Sequence, residues 1–304
     1  MSGTRVFGVL LVRDEVDVVR LNVLHHLSFG CERILALDNG SSDGTKTVLR
    51  RLADRVPLSW TSDPGPYRQA ELFTGLAQEA TARGADWIVP LDADEFWIAP
   101  NGLPPVLERQ GPGAWEVERV EFIQRVGQAR PSPEGLLTMT RRIAEPLDPF
   151  DTMDQFEAGR RSMFELEQGP KLLLRASAEL EIGRGAHKAA HLAGEIHPTG
   201  ELEILHAPLR ARACLDRKAE HGERLERVGA PGLEGWQVRH WAKRARSGTL
   251  DEGWAAHAYA ADGTLHVGDR RVPLLHDERL ARALGRWVRS RPRQLLARAL
   301  RRTY

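Results

Sequence analysis

Two aspartates separated by one alanine, Asp92 and Asp94, end the short apolar run Trp87–Leu91 and are followed by Glu95. Carboxylates so spaced project from one strand edge at a separation that a single divalent cation bridges, and their hard oxygens favour Mg²⁺ or Mn²⁺. Without a cation, like charges this close raise a carboxylate pKa or destabilise the fold. The plainer alternative is that these acids cap the next helix. A second polar cluster, Asp38-Asn39-Gly40-Ser41-Ser42-Asp43-Gly44-Thr45, follows the apolar run Ile34–Leu37. Its first carboxylate can accept a hydrogen bond from a nucleobase N–H, while Ser42 or Asp43 suits a helix N-cap. A third cluster, Arg13-Asp14-Glu15, closes the run Val6–Val12. The octet carries neither G-x-G-x-x-G nor the Gly-Lys-Ser/Thr of a phosphate-binding loop, which disfavours NAD enzymes and P-loop NTPases. His187 and His191 have zinc-ligand spacing, but Lys188 stands where a zinc hydrolase carries its glutamate.

For these clusters to meet, the chain must bring them to one edge. Val6–Val12 is continuously apolar, the pattern of a strand buried on both faces of a parallel sheet. Val19, Val23 and Leu27 then recur every four residues, with Asp14 and Glu15 suited to a first helical turn and Gly30 to a C-terminal cap. Ile34–Leu37 predicts a second strand, Thr45 onward a second helix, Leu58–Trp60 a third strand, 69–83 a third helix and Trp87–Leu91 a fourth strand. This alternation indicates an α/β domain with a mostly parallel central sheet flanked by helices. In such sheets ligands bind at the carboxyl ends of the strands, where all three clusters fall. Further strand candidates are Ala114–Ile123, Lys171–Leu174 and Leu202–Leu205. The stretch 128–169 reads as a long loop with short helices, of the kind that lies over a site. After Pro208 the pattern turns helical.

The 304 residues suit one large domain or a domain with an appendage, and 41% hydrophobic with 28% charged residues describe an ordinary soluble globular chain. The longest apolar run has seven residues, so no spanning helix is expected, and no secretory signal is visible. Cys31 and Cys214 read as reduced thiols, and the expected compartment is the cytoplasm. The 43 basic and 42 acidic residues nearly cancel, yet residues 279–304 hold nine arginines and no acid. The body is therefore acidic and the tail basic, and no nucleic-acid partner is expected.

Asp38–Thr45 (DNGSSDGT) followed by Trp87–Phe96 (WIVPLDADEF) resembles the family 2 glycosyltransferases of GT-A fold, a Rossmann-like α/β architecture. More narrowly, it is similar to a bacterial branch whose first helix opens with Asn-Glu and carries a histidine eleven residues after the Glu. Glu15 and His26 keep that spacing, and Gly30 follows His26 by four. Asp14, Leu21-Asn22 and His25 replace the branch's Asn, Glu-Trp and Tyr. Lys171 in PKLLLR, and His206-Ala-Pro-Leu-Arg210 with Lys218, resemble its later Lys and H-Y-P-x-R-S…K segment, with Ala207 and Ala211 in place of Tyr and Ser.

The resemblance implies a nucleotide-sugar-binding catalytic domain over 1–210 and a helical, Arg-rich C-terminal extension over 211–304. It implies a nucleoside-diphosphate sugar donor, a UDP-sugar favoured, and an acceptor it does not identify, in glycan, cell-envelope or glycosylated natural-product synthesis. Asp38 would bind the base, Asp92 the ribose and the metal or its water, and Asp94 the metal, Mn²⁺ or Mg²⁺. Glu15 would be a second nucleotide contact, and Lys171 and Arg210 cations for the departing diphosphate. His206 is the favoured distal metal ligand and His187 the second choice. An inverting enzyme needs a carboxylate base; among Glu121, Asp151, Asp154 and Glu157, the choice is Asp154. In the tail, Leu280, Leu284, Trp287 and Val288 form a helical stripe. It either packs on the catalytic domain or makes a peripheral, anionic-lipid-seeking helix that associates the chain with a membrane. Two other classes are a sugar-nucleotide pyrophosphorylase, for which residues 8–16 lack the Gly-rich basic loop, and a non-catalytic sugar-nucleotide-binding protein.

Overall fold

A computed structural model describes residues 4–109, 111, 113–227 and 235–289. The strand–helix alternation of the first 92 residues is as expected: β1 (Val6–Val12), α1 (Val19–Phe29), β2 (Arg33–Asp38), α2 (Thr45–Ala53), β3 (Leu58–Ser62), α3 (Gln69–Ala82) and β4 (Trp87–Asp92). After a two-residue turn come β5 (Glu95–Ile98), β6 (Ala114–Glu121), β7 (Lys171–Arg175) and β8 (Ile196–His206). These eight strands form one sheet in the order β3-β2-β1-β4-β7-β6-β8-β5. Its first half is parallel; β7 then runs antiparallel to β4 and β6, and β5 antiparallel to β8. Every residue of β1 is buried, as its unbroken apolar run demands of a central strand.

Helix α1 departs from the usual surface pattern. Val19 and Leu21–Phe29 are all buried, so it has no solvent face, and three of its buried residues are Asn22, His25 and His26. It ends where expected, at Gly30 (φ 135°), whose N–H donates to the His26 carbonyl. A Cβ there would lie 2.6 Å from Pro104 Cδ, so both the dihedral and the space require glycine. Asp14 and Glu15 lie ahead of the first helical turn, in the loop, with the Val19 N–H donating to the Glu15 carbonyl.

The chain clusters into two compact units that interleave in sequence. The first comprises the described parts of Met1–Val120, Gly169–His206 and Leu284–Tyr304; the second comprises Glu121–Gln168 and Ala207–Ala283. A single boundary at 210 does not describe this grouping. Residues 121–168 do contain short helices, including α4 (Pro149–Glu157), but they share a core with the later chain. Ile123, Phe156, Phe164 and Leu166 are buried with Leu215, Trp241, Trp254 and Leu265. The second unit's helices are α5 (Cys214–Arg227), α6 (Trp236–Arg246) and α7 (Leu250–His257), joined by a small hairpin, Leu265–Val267 with Arg270–Val272, that the helical pattern did not announce.

Helices α5 and α6 meet at Gly222, where a Cβ would fall 2.1 Å from the Val238 carbonyl oxygen. Backbone cannot yield like a side-chain tip, so Gly222→Ala must push the helices apart. Despite alanine's better helix propensity, the variant is expected to lose about 2–3 kcal/mol in denaturant unfolding. A neutral or stabilised variant would mean that the helices do not approach so closely.

The final helix, α8 (Arg279–Arg289), buries Leu280, Leu284 and Trp287 of the apolar stripe. Arg286 donates to Ser28 Oγ at 2.6 Å and lies over the Trp287 ring. These side chains are covered by the chain itself and offer lipid no apolar face. The continuation of the stripe, Leu295, Leu296 and Leu300, lies outside the described residues. No helix among the described residues is long and apolar enough to cross a membrane.

Candidate functional site

Strand register puts the three clusters at one level. Val12 pairs with Asp38, Leu11 with Asp92 and Asp38 with Ser62, so the carboxyl ends of four parallel strands finish within about one residue of each other. The loops beyond them are tied reciprocally. Asp14 N donates to Ser41 Oγ, Glu15 N to Thr45 Oγ1 and Val16 N to Asp43 Oδ2, while Ser42 N returns a bond to Asp14 Oδ1. The N-cap of α2 is Gly44, not Ser42 or Asp43 as expected; Asp43, one residue ahead of it, accepts the Thr45 N–H.

Asp38 is fully buried. Its carboxylate accepts the amides of Gly40 and Ser41 and the Ser62 hydroxyl, with Lys46 at 3.7 Å. It therefore shapes the turn that carries its motif. Asn39, also fully buried, donates to the carbonyls of Asp63 and Gly65 and fixes the turn that leads to Tyr67. Burial raises the Tyr67 pKa, and Asp92 and Asp94 add to the rise against Arg184. Glu15 stays half-buried.

The acidic turn is built on buried partners. Lys171 Nζ lies 2.5 Å from Asp92 Oδ2 and 2.6 Å from Glu95 Oε2, and Arg119 reaches Glu95 Oε1 at 3.4 Å. Burial pushes the Glu95 carboxyl pKa up, with Asp92 adding and Lys171 opposing. For Lys171, burial acts to lower the pKa, but Asp92 and Glu95 outweigh it and hold the ammonium above its usual range. The Lys171 side chain is 1% exposed against 30% for Asp92, so the lysine meets a ligand only through its acids. His206, registered opposite Glu95, brings Nε2 within 3.5 Å of Asp94 Oδ1.

His187 stands beside the start of β7, near enough to Lys171 and Asp92 to feel their charges. Its Nδ1 donates to the Pro170 carbonyl at 2.6 Å, one residue before Lys171. Burial, with Arg119 and Lys171 nearby, lowers its pKa to about 4. His191 faces Glu181 instead, so the two do not share a zinc site. Among the described residues no three His, Cys, Asp or Glu side chains converge to hold a metal ion. Asp94 and His206 are a two-ligand pair, and Lys171 claims one oxygen of Asp92. On their own these side chains do not complete the ligand set of a divalent cation.

From beneath, α1 grips the turn. Asn22 Nδ2 donates towards the carbonyls of Asp92, Ala93 and Glu95 at 2.9, 3.2 and 2.9 Å. Trp97 N donates to His26 Nε2 at 3.2 Å, and His25 Nε2 donates to the Trp97 carbonyl at 2.7 Å. Since β5 is the last strand of the sheet, the two histidines satisfy backbone groups that an edge strand otherwise exposes. Asn22, Arg119, Tyr67 and the pairing role of Glu95 were not foreseen. The available signal was Asn22, His25 and His26 at positions of α1 that its apolar residues would otherwise claim.

Arg210 and Asp154 belong to the second unit. Arg210 is 2% exposed and donates to the Ala207 carbonyl at 3.4 Å; Asp154 is exposed on α4.

No family model matches the chain, and no curated protein matches its sequence. Among solved structures it is similar to S. aureus TarS 1–349 in complex with UDP-GlcNAc, at 8% identity over 86% of this chain and 77% of that one, with a TM-score of 0.41. It is also similar to glucosyl-3-phosphoglycerate synthase from Mycobacterium tuberculosis in complex with Mn²⁺, UDP and phosphoglyceric acid. There the identity is 18% over 39% of this chain and 44% of that one, with a TM-score of 0.28. Neither likeness assigns a role to a residue.

Proposed function

We propose that the chain is a cytoplasmic glycosyltransferase of GT-A type, moving a sugar from a nucleoside-diphosphate sugar, a UDP-sugar in the first instance, to an acceptor hydroxyl. The observation that carries this reading is the register of β1, β2 and β4, which sets the 13–16 loop, the Asp38–Thr45 loop and the Asp92-Ala93-Asp94 turn along one edge. The two tied loops, with Glu15 on one and Asp38 shaping the other, take the nucleoside. Asp92 faces the ribose, and Asp94 with His206 faces the diphosphate end; His187 is the alternative to His206. Transfer breaks the anomeric C–O bond to the diphosphate, leaving positive charge on the sugar ring and negative charge on the leaving group, so the site's fixed charges act where charge develops. A divalent cation, when bound, supplies Lewis-acid stabilisation of that leaving group. Arg210 as a diphosphate cation and Asp154 as the acceptor's base are proposals that rest on the sequence alone.

The test is a thermal-shift series with nucleoside diphosphates and their sugars, with and without Mn²⁺. At a hundredfold excess over Kd, linkage gives about 2.7 kcal/mol, or on the order of 5 °C in Tm. UDP with Mn²⁺ is expected to produce that shift, and Asp94→Asn to remove it. If no nucleoside diphosphate moves the midpoint under either condition, the reading fails.

A further inference from the structure

The acidic turn already contains cations of its own. Lys171, 1% exposed, contacts Asp92 at 2.5 Å and Glu95 at 2.6 Å, and Arg119 stands on the other oxygen of Glu95. Two carboxylates of the turn, Asp92 and Glu95, thus face fixed cationic side chains within one unit. Asp94 lies beside His206, whose Nε2 is 3.5 Å from its Oδ1. A divalent ion approaching this turn finds one Asp92 oxygen taken and is repelled by an ammonium that cannot withdraw into solvent.

We infer that Lys171 is a resident counter-ion that keeps divalent cations off the empty turn, so that a metal enters only together with the donor's diphosphate. This rests on the reading of the site as a nucleoside-diphosphate site. The diphosphate oxygens complete a ligand set that Asp94, His206 and the remaining Asp92 oxygen do not complete alone. Hard cations of this class are commonly held by one or two carboxylates plus substrate phosphates. Lys171 acts through Asp92, and is a positioning residue. Because binding couplings are reciprocal, UDP tightens Mn²⁺ by the same factor as Mn²⁺ tightens UDP.

Isothermal titration of Mn²⁺ into the full chain tests this without any turnover. Mn²⁺ is expected to bind the nucleotide-free wild type at least thirtyfold more weakly than the UDP-saturated protein. Lys171→Met frees Asp92 and is expected to bind Mn²⁺ without nucleotide at least tenfold more tightly than wild type. Lys171→Arg, which keeps the charge, is expected to stay at the wild-type value. A gain of affinity is not something a merely structural lysine predicts. Should Lys171→Met fold poorly, Lys171→Met with Glu95→Gln removes the carboxylate left behind and is expected to show the same gain. Micromolar Mn²⁺ binding by the nucleotide-free wild type overturns the inference whatever the variants do, as does the absence of any gain in a folded Lys171→Met chain. UDP that fails to bind with or without Mn²⁺ overturns instead the reading of the site.

Discussion

Asn22→Leu is expected to cost the fold about 2–5 kcal/mol and sugar transfer at least a hundredfold in kcat. The side-chain amide has two N–H groups, and both point at the backbone carbonyls of Asp92, Ala93 and Glu95 inside a sealed interior. The orientation is forced, since an oxygen in that place would face three other oxygens. Leucine keeps the volume but removes both donors, and each buried carbonyl left without one costs about 1–3 kcal/mol. The opposite end of the amide, Oδ1, is buried without a partner, so leucine loses nothing there. Asn22→Asp is nearly isosteric and is expected to be worse, because it aims a carboxylate at the same three carbonyls. Transfer falls for a separate reason: the carbonyls belong to the peptide that aims Asp92 and Asp94, and about 1 Å of displacement in a positioned group costs on the order of a hundredfold. Urea unfolding monitored by tryptophan fluorescence gives the first number and donor turnover the second. Asn22→Leu within about 1 kcal/mol of wild type, or more damaging than Asn22→Asp, would contradict the assignment of Asn22 as the support of the turn.

The parts of the structure that were legible in the sequence are those whose signal is local. β1, β2 and β4 are buried on both faces and so read as unbroken apolar runs, and the acids that end them stand out against that background. β8 was seen only in its last third because Ile196–Glu201 is largely exposed and has no apolar pattern to display. Residues 128–169 read as a covering loop because their apolar residues follow neither strand nor helix periodicity. The partners that bury Phe156 and Phe164, such as Leu215 and Trp241, lie some 50 to 90 residues further along the chain. At the site, Asp92, Asp94 and His206 were legible as residue types, but their charge partners were not. Lys171 suggested a diphosphate cation from its sign alone; its burial, which turns it towards Asp92 and Glu95, is set by sheet order, a property no short window of sequence contains.

The second large effect is acid lability. The folded chain is expected to lose stability steeply between about pH 6.5 and pH 4, through histidines that it buries neutral. His25, His26 and His257 are 4%, 0% and 2% exposed. Burial lowers His25 to about 4 and His257 to about 3, and lowers His26 well below its ordinary value of 6.5. The geometry agrees in each case. His26 Nε2 accepts the Trp97 N–H and has no room for a proton, while His25 Nδ1 and His257 Nε2 are buried with no acceptor. Between 6.5 and the folded pKa the unfolded chain binds the proton and the folded one does not, so stability falls as pH falls. At about 1.4 kcal/mol per pKa unit, His25 and His257 each contribute on the order of 3 kcal/mol of loss by pH 4. Glu95 works the other way, since its raised pKa makes acid slightly favourable to the fold. Asp262 and Asp277, lowered to about 2, add their losses only below pH 4. The histidine sum alone is comparable to the 5–15 kcal/mol that typically holds a domain together. Because His25 and His26 lie in the first unit and His257 in the second, both are affected. Urea unfolding at steps between about pH 7.5 and 4.5 measures the slope, expected to approach about 1.4 kcal/mol per pH unit for each histidine titrating. His257→Phe fills similar space with no ring nitrogen and is expected to flatten that slope by one proton's share. Stability constant to within about 1 kcal/mol from pH 7 to pH 5 would mean that these imidazoles take up protons as readily folded as unfolded, which the N–H of Trp97 on His26 does not allow.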